Sequence, residues 1–104
     1  MTNKKIYALV KYPGKDATFT YIENTLNAIK EKLGGKIETV TVSDDIVFIC
    51  DSEAVIKDSK YDFEFRDIQF FGTVLIFGHK DDEFKDCPLS VNKARQCFPE
   101  LFMD

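Results

Sequence analysis

The chain has 104 residues, of which 44% are hydrophobic and 31% charged, with a formal net charge of -4. This length predicts one domain, residues 1–104, and its ten Phe and four Tyr supply enough apolar area for a core, which argues against disorder. The apolar runs at residues 46–50 and 74–77 are far shorter than the ~20 residues of a membrane span, so we expect no membrane association. The start shows no secretory cleavage site, and we expect a cytoplasmic protein.

The charge is unevenly distributed along the chain. Residues 1–36 contain seven Lys and three acidic residues, or +4, which leaves -8 for residues 37–104. Arg occurs only at Arg66 and Arg95, so a dense cationic face is missing and direct nucleic-acid binding is not expected. A mixed solvated surface is the simplest interpretation, and association of basic and acidic halves in a homodimer is the alternative.

The chain begins with a predicted β-hairpin. Residues 6–12 are rich in β-formers and are stopped by Pro13 and Gly14, a strong turn signal. Residues 18–22 then alternate hydroxyl and aromatic side chains, which places Phe19 and Tyr21 on one face of a second strand.

A helix is predicted after this hairpin. Asn24 is the expected cap, the glycines at 34 and 35 end the helix, and its apolar positions are Leu26, Ile29 and Leu33. The glycines close a helix instead of opening one and have no Lys-Ser/Thr after them, so they do not form a phosphate-binding loop.

The middle of the chain predicts a second hairpin and two central strands. Residues 36–42 alternate and indicate a half-exposed strand, whereas residues 46–50 are continuously apolar and indicate a strand buried on both faces. A polar loop is expected at residues 51–60, and residues 73–77 form the second central strand.

The alternation at residues 61–66 indicates a strand or an extended loop. It puts Tyr61, Phe63 and Phe65 on one face and places Asp62 and the other charged residues on the opposite face.

The last quarter is predicted to be an acidic, irregular loop followed by a short helix. The loop covers residues 79–87, Ser90 caps the helix, and Pro99 ends it. Because Phe98, Leu101 and Phe102 recur at helical spacing, we expect the tail to pack on the sheet. The elements together predict an α+β domain: a small, mainly antiparallel sheet of five or six strands, with one helix on a face and a short C-terminal helix.

Five segments carry a family resemblance. They are residues 7–14, 22–26, 33–38, 49–53 and 71–78. Their order resembles a family of small domains of unknown function that is typical of bacteriophages, plasmids and other mobile elements. The resemblance implies that the chain acts in the cytosol of a host cell, and it transfers no active-site residue.

The sequence contains weak signals for catalysis or metal binding. Cys50, Cys87 and Cys97 are an odd number without C-x-x-C spacing, which is typical of reduced thiols, and Cys50 is expected in the core. His79 lies near Cys87 in sequence, but an acidic loop raises a thiol pKa and disfavours a nucleophile. The acids of residues 81–86 lack the order of a calcium loop. We therefore expect no enzyme activity, no metal and no cofactor.

Two kinds of binding site are predicted. Lysine or arginine beside aromatic rings is suited to a small anionic ligand. Exposed aromatic residues at 61–71 are suited to a protein partner. The alternative is that these rings are buried in the core. The candidate binding residues are Tyr61, Phe63, Phe65, Arg66, Phe70, Lys11 and Tyr12.

The family resemblance, rather than any motif, implies a phage or mobile-element accessory protein that binds and inhibits a host defence protein, and the weak catalytic signals predict that it is non-enzymatic. The alternative is a sponge that sequesters a nucleotide signal, and a hydrolase is the third class. A sponge requires a pocket with convergent Lys or Arg and aromatic rings, whereas an inhibitor requires a flat or strand-edge surface.

Overall fold

The computed structural model describes residues 5–81 and 83–102. The elements in chain order are β1 (Lys5–Lys11), β2 (Thr18–Glu23), α1 (Leu26–Leu33), β3 (Ile37–Ser43), β4 (Ile46–Asp51), β5 (Tyr61–Phe65), β6 (Ile68–Phe71), β7 (Val74–Lys80), β8 (Glu83–Lys85), α2 (Val91–Cys97) and a 3-10 turn, Pro99–Leu101. Within these ranges, six strands form an antiparallel sheet in the order β2-β1-β7-β4-β3, with β8 paired to β7. The strands β5 and β6 form a separate two-stranded sheet. The predicted α+β class is confirmed.

The two central strands of the large sheet are buried on both faces, as predicted. All residues of β4 are buried, and so are the first five residues of β7. Because side chains alternate along a strand, these two strands contribute to two separate cores, one on each face of the sheet. Across the described ranges, neither helix is long and apolar enough to cross a bilayer.

The first face is covered by α1, which packs Ile29 and Leu33 against the sheet. The helix is capped by Thr25, whose hydroxyl accepts the N–H of Ala28 at 3.1 Å, so the expected cap at Asn24 is wrong by one residue. Gly34 ends the helix in the left-handed region with φ 82°, which confirms the predicted stop.

The second face is covered by the two-stranded sheet and by the C-terminal segment. Phe48 of β4 lies at the centre of this core, 0% exposed, and its ring contacts four others at centroid distances of 5.4 to 6.0 Å. The rings around it are those of Phe63, Phe65, Phe70 and Phe98. Leu101 and Phe102 are also buried, so the tail packs on the sheet as predicted.

The turn of the two-stranded sheet explains why residues 61–71 form a hairpin. Arg66 and Asp67 both have positive φ, at 52° and 66°, and they lie between the paired residues Phe65 and Ile68. Two successive left-handed residues produce the tight turn whose twist matches antiparallel strands. Of the two structures predicted for residues 61–66, the strand is therefore the one that forms.

The acidic segment after Gly78 is ordered, so the prediction of an irregular loop is wrong. β1 pairs with β7 only at residues 9–11, and β8 and the residues after it occupy the remaining space beside β7. The N–H of Tyr7 donates to Asp86 Oδ1 at 2.8 Å, and the N–H of Cys87 donates to the Tyr7 carbonyl at 2.7 Å. Asp82, part of the predicted acidic loop, lies outside the described residues.

Candidate functional site

The phenylalanines of the two-stranded sheet are core residues. Phe63, Phe65 and Phe70 are 5%, 8% and 2% exposed, so the expectation that they form an exposed binding surface is wrong. The alternation in this segment is real, but its apolar side is turned towards Phe48 instead of solvent. Tyr61, at the start of β5, is 52% exposed and is the one aromatic of the candidate group 61–70 on the surface of the described chain.

Arg66 attaches the turn of the hairpin to the large sheet. Its Nη1 donates to the carbonyl of Val42 on β3 at 2.9 Å, and its guanidinium lies 4.8 Å from the centroid of the Phe65 ring. The side chain that we predicted for an anion is therefore engaged with a backbone oxygen and an aromatic face.

Lys11 is buried and is not part of an open anion site. Its Nζ lies 2.5 Å from Asp62 Oδ1 and donates to the Tyr12 carbonyl at 2.9 Å. The Tyr12 side chain is 36% exposed, and its ring centroid lies 5.7 Å from Lys32 Nζ on α1. Lys11 and Tyr12, which we predicted to form one site, therefore lie apart: Lys11 pairs with the buried Asp62, and Tyr12 lies on the surface beside α1.

The two buried thiols, Cys50 and Cys87, are protonated, and Cys87 and His79 lie on opposite faces of the sheet. Burial, together with the charges of Glu38 and Asp51, raises the pKa of Cys50 to about 11, and burial also raises the pKa of Cys87. Such thiols remain protonated and are poor nucleophiles. Cys87 belongs to the second-face core, whereas His79 shares the opposite face with Phe77 and its Nε2 lies 3.2 Å from the Ser43 carbonyl. Within the part of the chain that the structure describes, no three His, Cys, Asp or Glu side chains are grouped to hold a metal.

The sequence analysis expected a flat or strand-edge surface for a protein partner but did not assign it to a strand, and the structure has an open edge at β2. Both backbone groups of Tyr7 bond to Asp86 and Cys87, on the side of β1 away from β2. Antiparallel pairing alternates, so it is the neighbouring residues of β1 that bond to β2. The backbone N–H and C=O groups of Phe19 and Tyr21 consequently point outward from β2, the terminal strand of the described sheet.

Aromatic rings lie directly beside this edge. The Tyr7 and Phe19 rings stack with centroids 4.6 Å apart and an interplanar angle of 8°, and the Tyr21 ring lies 4.9 Å from that of Tyr7. Tyr21 is 65% exposed. We call the outward backbone groups of Phe19 and Tyr21, with the rings of Tyr7, Phe19 and Tyr21, the β2 edge site. The placement of Phe19 and Tyr21 on one face was predicted, but nothing in the sequence indicated that β2 would be terminal.

The other terminal strand, β3, is less open. A bulge interrupts its pairing between Thr41 and Ser43. The carbonyl of Val42 accepts a hydrogen bond from Arg66, and that of Ser43 lies in contact with His79. Bulges and covered backbone groups are how natural edges avoid further pairing. Neither strand contains Lys or Pro, so the bulge and the contacted carbonyl groups at the Val42–Ser43 end of β3 are what distinguish the two edges.

Among the described residues, two concavities bear on a small-ligand site. One, of about 300 Å³, is lined by Thr39, Thr41, Val47, His79 and Phe84 on the first face. The second, of about 130 Å³, lies between β3 and β6. Neither is lined by Lys or Arg, so neither has the convergent cations that a nucleotide phosphate requires.

The fold and site define a small α+β domain with an aromatic, unprotected sheet edge. Residues 5–100 match the family model described as Domain of unknown function (DUF3846), and the chain belongs to this family. Neither a curated protein nor a solved structure matches the chain.

Proposed function

We propose that this DUF3846 chain is a non-enzymatic binding protein that receives an extended segment of a partner protein along β2. The observation on which the proposal depends is the outward orientation of the Phe19 and Tyr21 backbone groups beside the aromatic rings. An added strand gains affinity from main-chain hydrogen bonds and specificity from alternate side chains, which here meet the rings of the β2 edge site. Tyrosine is also among the residues that contribute most to protein interfaces.

The wider role follows from the resemblance to domains of phages, plasmids and other mobile elements. A protein of that origin acts inside a host cell, so its partner is a host protein, and a defence protein is the partner that such an element gains most by inhibiting. Inhibition requires no chemistry in this scheme. A segment of the host protein that is held as an added strand is no longer free for its own contacts.

The nucleotide sponge has less support than the binding protein. Lys11 is paired with Asp62, Arg66 bonds to Val42, and the two concavities lack cationic side chains. The hydrolase has less support still, because the buried thiols are protonated and His79 and Cys87 face different cores.

A capture experiment tests the proposal. Tagged wild type, Tyr21→Pro and Tyr61→Ala proteins are exposed to host lysate, and bound proteins and nucleotides are identified by mass spectrometry. Proline removes an outward N–H that β1 does not use, while Tyr61 is an exposed tyrosine distant in sequence and in a different sheet. We expect a stoichiometric host protein with wild type and Tyr61→Ala, and its loss with Tyr21→Pro.

Hydrogen exchange on the purified complex provides the direct readout. The outward amides of Phe19 and Tyr21 should exchange rapidly in the free protein and become protected when the partner strand is added. A complex in which both amides still exchange rapidly, or in which folded Tyr21→Pro binds as well as wild type, would refute strand addition. Retention of a nucleotide without any protein would favour the sponge.

A further inference from the structure

The turn between β4 and β5 is held in place by Asp51. Its Oδ1 accepts the N–H of Glu53 at 2.9 Å, and its Oδ2 lies 2.5 Å from Lys57 Nζ, which also donates to the Gly34 carbonyl at 3.0 Å. Gly35 has no side chain to collide with the Asp51 carboxylate, which lies where a Cβ would be. The turn is therefore fixed to the end of α1 at several points.

This fixed turn presents apolar side chains to solvent. Val55 and Ile56 are 66% and 83% exposed, and Ile68, on β6 across a shallow depression, is 42% exposed. The depression is the concavity of about 130 Å³ between β3 and β6, and we call it the β3–β6 groove. Its apolar lining includes Val40, Cys50, Ala54, Val55, Ile68 and Phe70. Exposed apolar side chains grouped around a groove are typical of a contact surface.

A carboxylate lies at the rim of the groove. Glu38 of β3 lines the groove, is exposed, and has no ion-pair partner within residues 5–81 and 83–102. Its neighbour in the floor is the Cys50 thiol, which donates to the Glu38 carbonyl at 3.8 Å and is neutral. The groove thus combines apolar side chains with the exposed carboxylate of Glu38, whereas the other acidic residue of its lining, Asp51, is paired with Lys57.

We propose that the β3–β6 groove binds a partner segment in which an aliphatic side chain is adjacent to Lys or Arg. The aliphatic group rests in the groove, a depression of about 130 Å³, against the side chains of Val40, Val55 and Ile68. The cation pairs with Glu38. This site is independent of the proposed function, because β3 and β2 are at opposite ends of the sheet order.

Amide chemical shifts of the labelled full chain test the site. The probe is the peptide acetyl-Ala-Lys-Leu-Lys-Ala-amide, and the matched control peptide has Glu in place of both Lys. We expect the Lys peptide to shift the amides of Ala54, Val55 and Ile68 saturably at millimolar concentration. The control peptide with Glu should not shift these amides saturably.

Two variants separate the groove from general charge attraction. Glu38→Gln should lower the affinity for the Lys peptide about two- to five-fold, as expected for loss of a solvent-accessible ion pair. Glu31→Gln on α1 should leave the affinity for this peptide unchanged. Tyr21→Pro should also bind the peptide normally, which makes failure at the two sites distinguishable. Equal affinity for both peptides, unsaturable shifts, or equal effects of the two Glu variants would overturn the proposal.

Discussion

Lys11 on β1 and Asp62 on β5 form a buried ion pair that joins the large sheet to the two-stranded sheet, with their side chains 3% and 0% exposed. Asp62 is an extra residue in its strand: Tyr61 pairs with Phe71 and Phe63 with Phe70, so a bulge lies between them. The bulge explains why Asp62 is buried, although strict alternation predicts that it faces outward. Within the described chain, Asp62 Oδ2 has no hydrogen-bond partner.

Removal of one member of this pair should be strongly destabilising. Lys11→Met or Asp62→Leu leaves the other charge buried and unpaired, which costs about 3–5 kcal/mol. The double variant replaces both charges by apolar groups and should be more stable than either single variant. Urea unfolding of the four proteins measures the free energies of unfolding. Single variants that each lose less than about 1 kcal/mol would show that the pair is hydrated in solution.

The stability of the domain should depend on the protonation of Asp62. Burial raises the pKa of this carboxyl to about 6, although the hydrogen bond and charge of Lys11 act in the opposite direction. Since the native state then binds the proton more tightly than the unfolded chain, this group contributes stability at low pH, and the contribution is lost as pH rises through about 6.

The comparison that isolates this effect uses Asp62→Asn, which does not titrate. Relative to this variant, wild type should become more stable between pH 7 and pH 4.5, by at most about 3 kcal/mol, since a shift of one pKa unit is worth about 1.4 kcal/mol. Urea midpoints across this range provide the measurement. A wild type that loses stability relative to Asp62→Asn on acidification would contradict the direction of the pKa shift.

The aromatic core on the second face should be sensitive to truncation. Phe63→Ala and Phe65→Ala each remove a ring that packs against Phe48, and each should cost about 3–5 kcal/mol. At Tyr61, which is 52% exposed, the same change should cost less than about 1 kcal/mol. Thermal unfolding followed by circular dichroism distinguishes these cases. Folded, unperturbed Phe63→Ala protein would restore the surface role that the sequence predicted for these rings.

Much of the fold was predictable from local sequence patterns. The Pro13-Gly14 turn, the continuously apolar β4 and the glycine stop at Gly34 each depend on residues close together in the chain, and each prediction is confirmed. The prediction failed after Gly78, where β8 pairs with the end of β7 that lies beyond the residues paired with β1. Such pairing is a property of the assembled sheet.

The site was less predictable for a related reason. Alternation identifies which residues share a face, but it does not say whether that face meets solvent or another sheet, so Phe63 and Tyr21 could not be told apart. Phe63 is buried against Phe48 of β4, whereas Tyr21 lies on the terminal strand β2 and is 65% exposed. Strand order, which decides this difference, depends on pairing between residues distant in the chain.

The outward orientation of the β2 backbone predicts that proline destabilises the domain less at Tyr21 than at the adjacent Thr20. At Tyr21 the N–H points away from β1, so Tyr21→Pro removes no hydrogen bond of the sheet and should cost about 1 kcal/mol or less. At Thr20 the N–H bonds to Ala8, so Thr20→Pro removes a bond and leaves a buried acceptor on β1, a loss of about 2 kcal/mol or more. Urea unfolding without any partner measures both values, with Tyr21→Ala as the control for the lost ring. Equal destabilisation by the two prolines, or a larger loss at Tyr21, would mean that the backbone groups of Phe19 and Tyr21 are not free for an added strand.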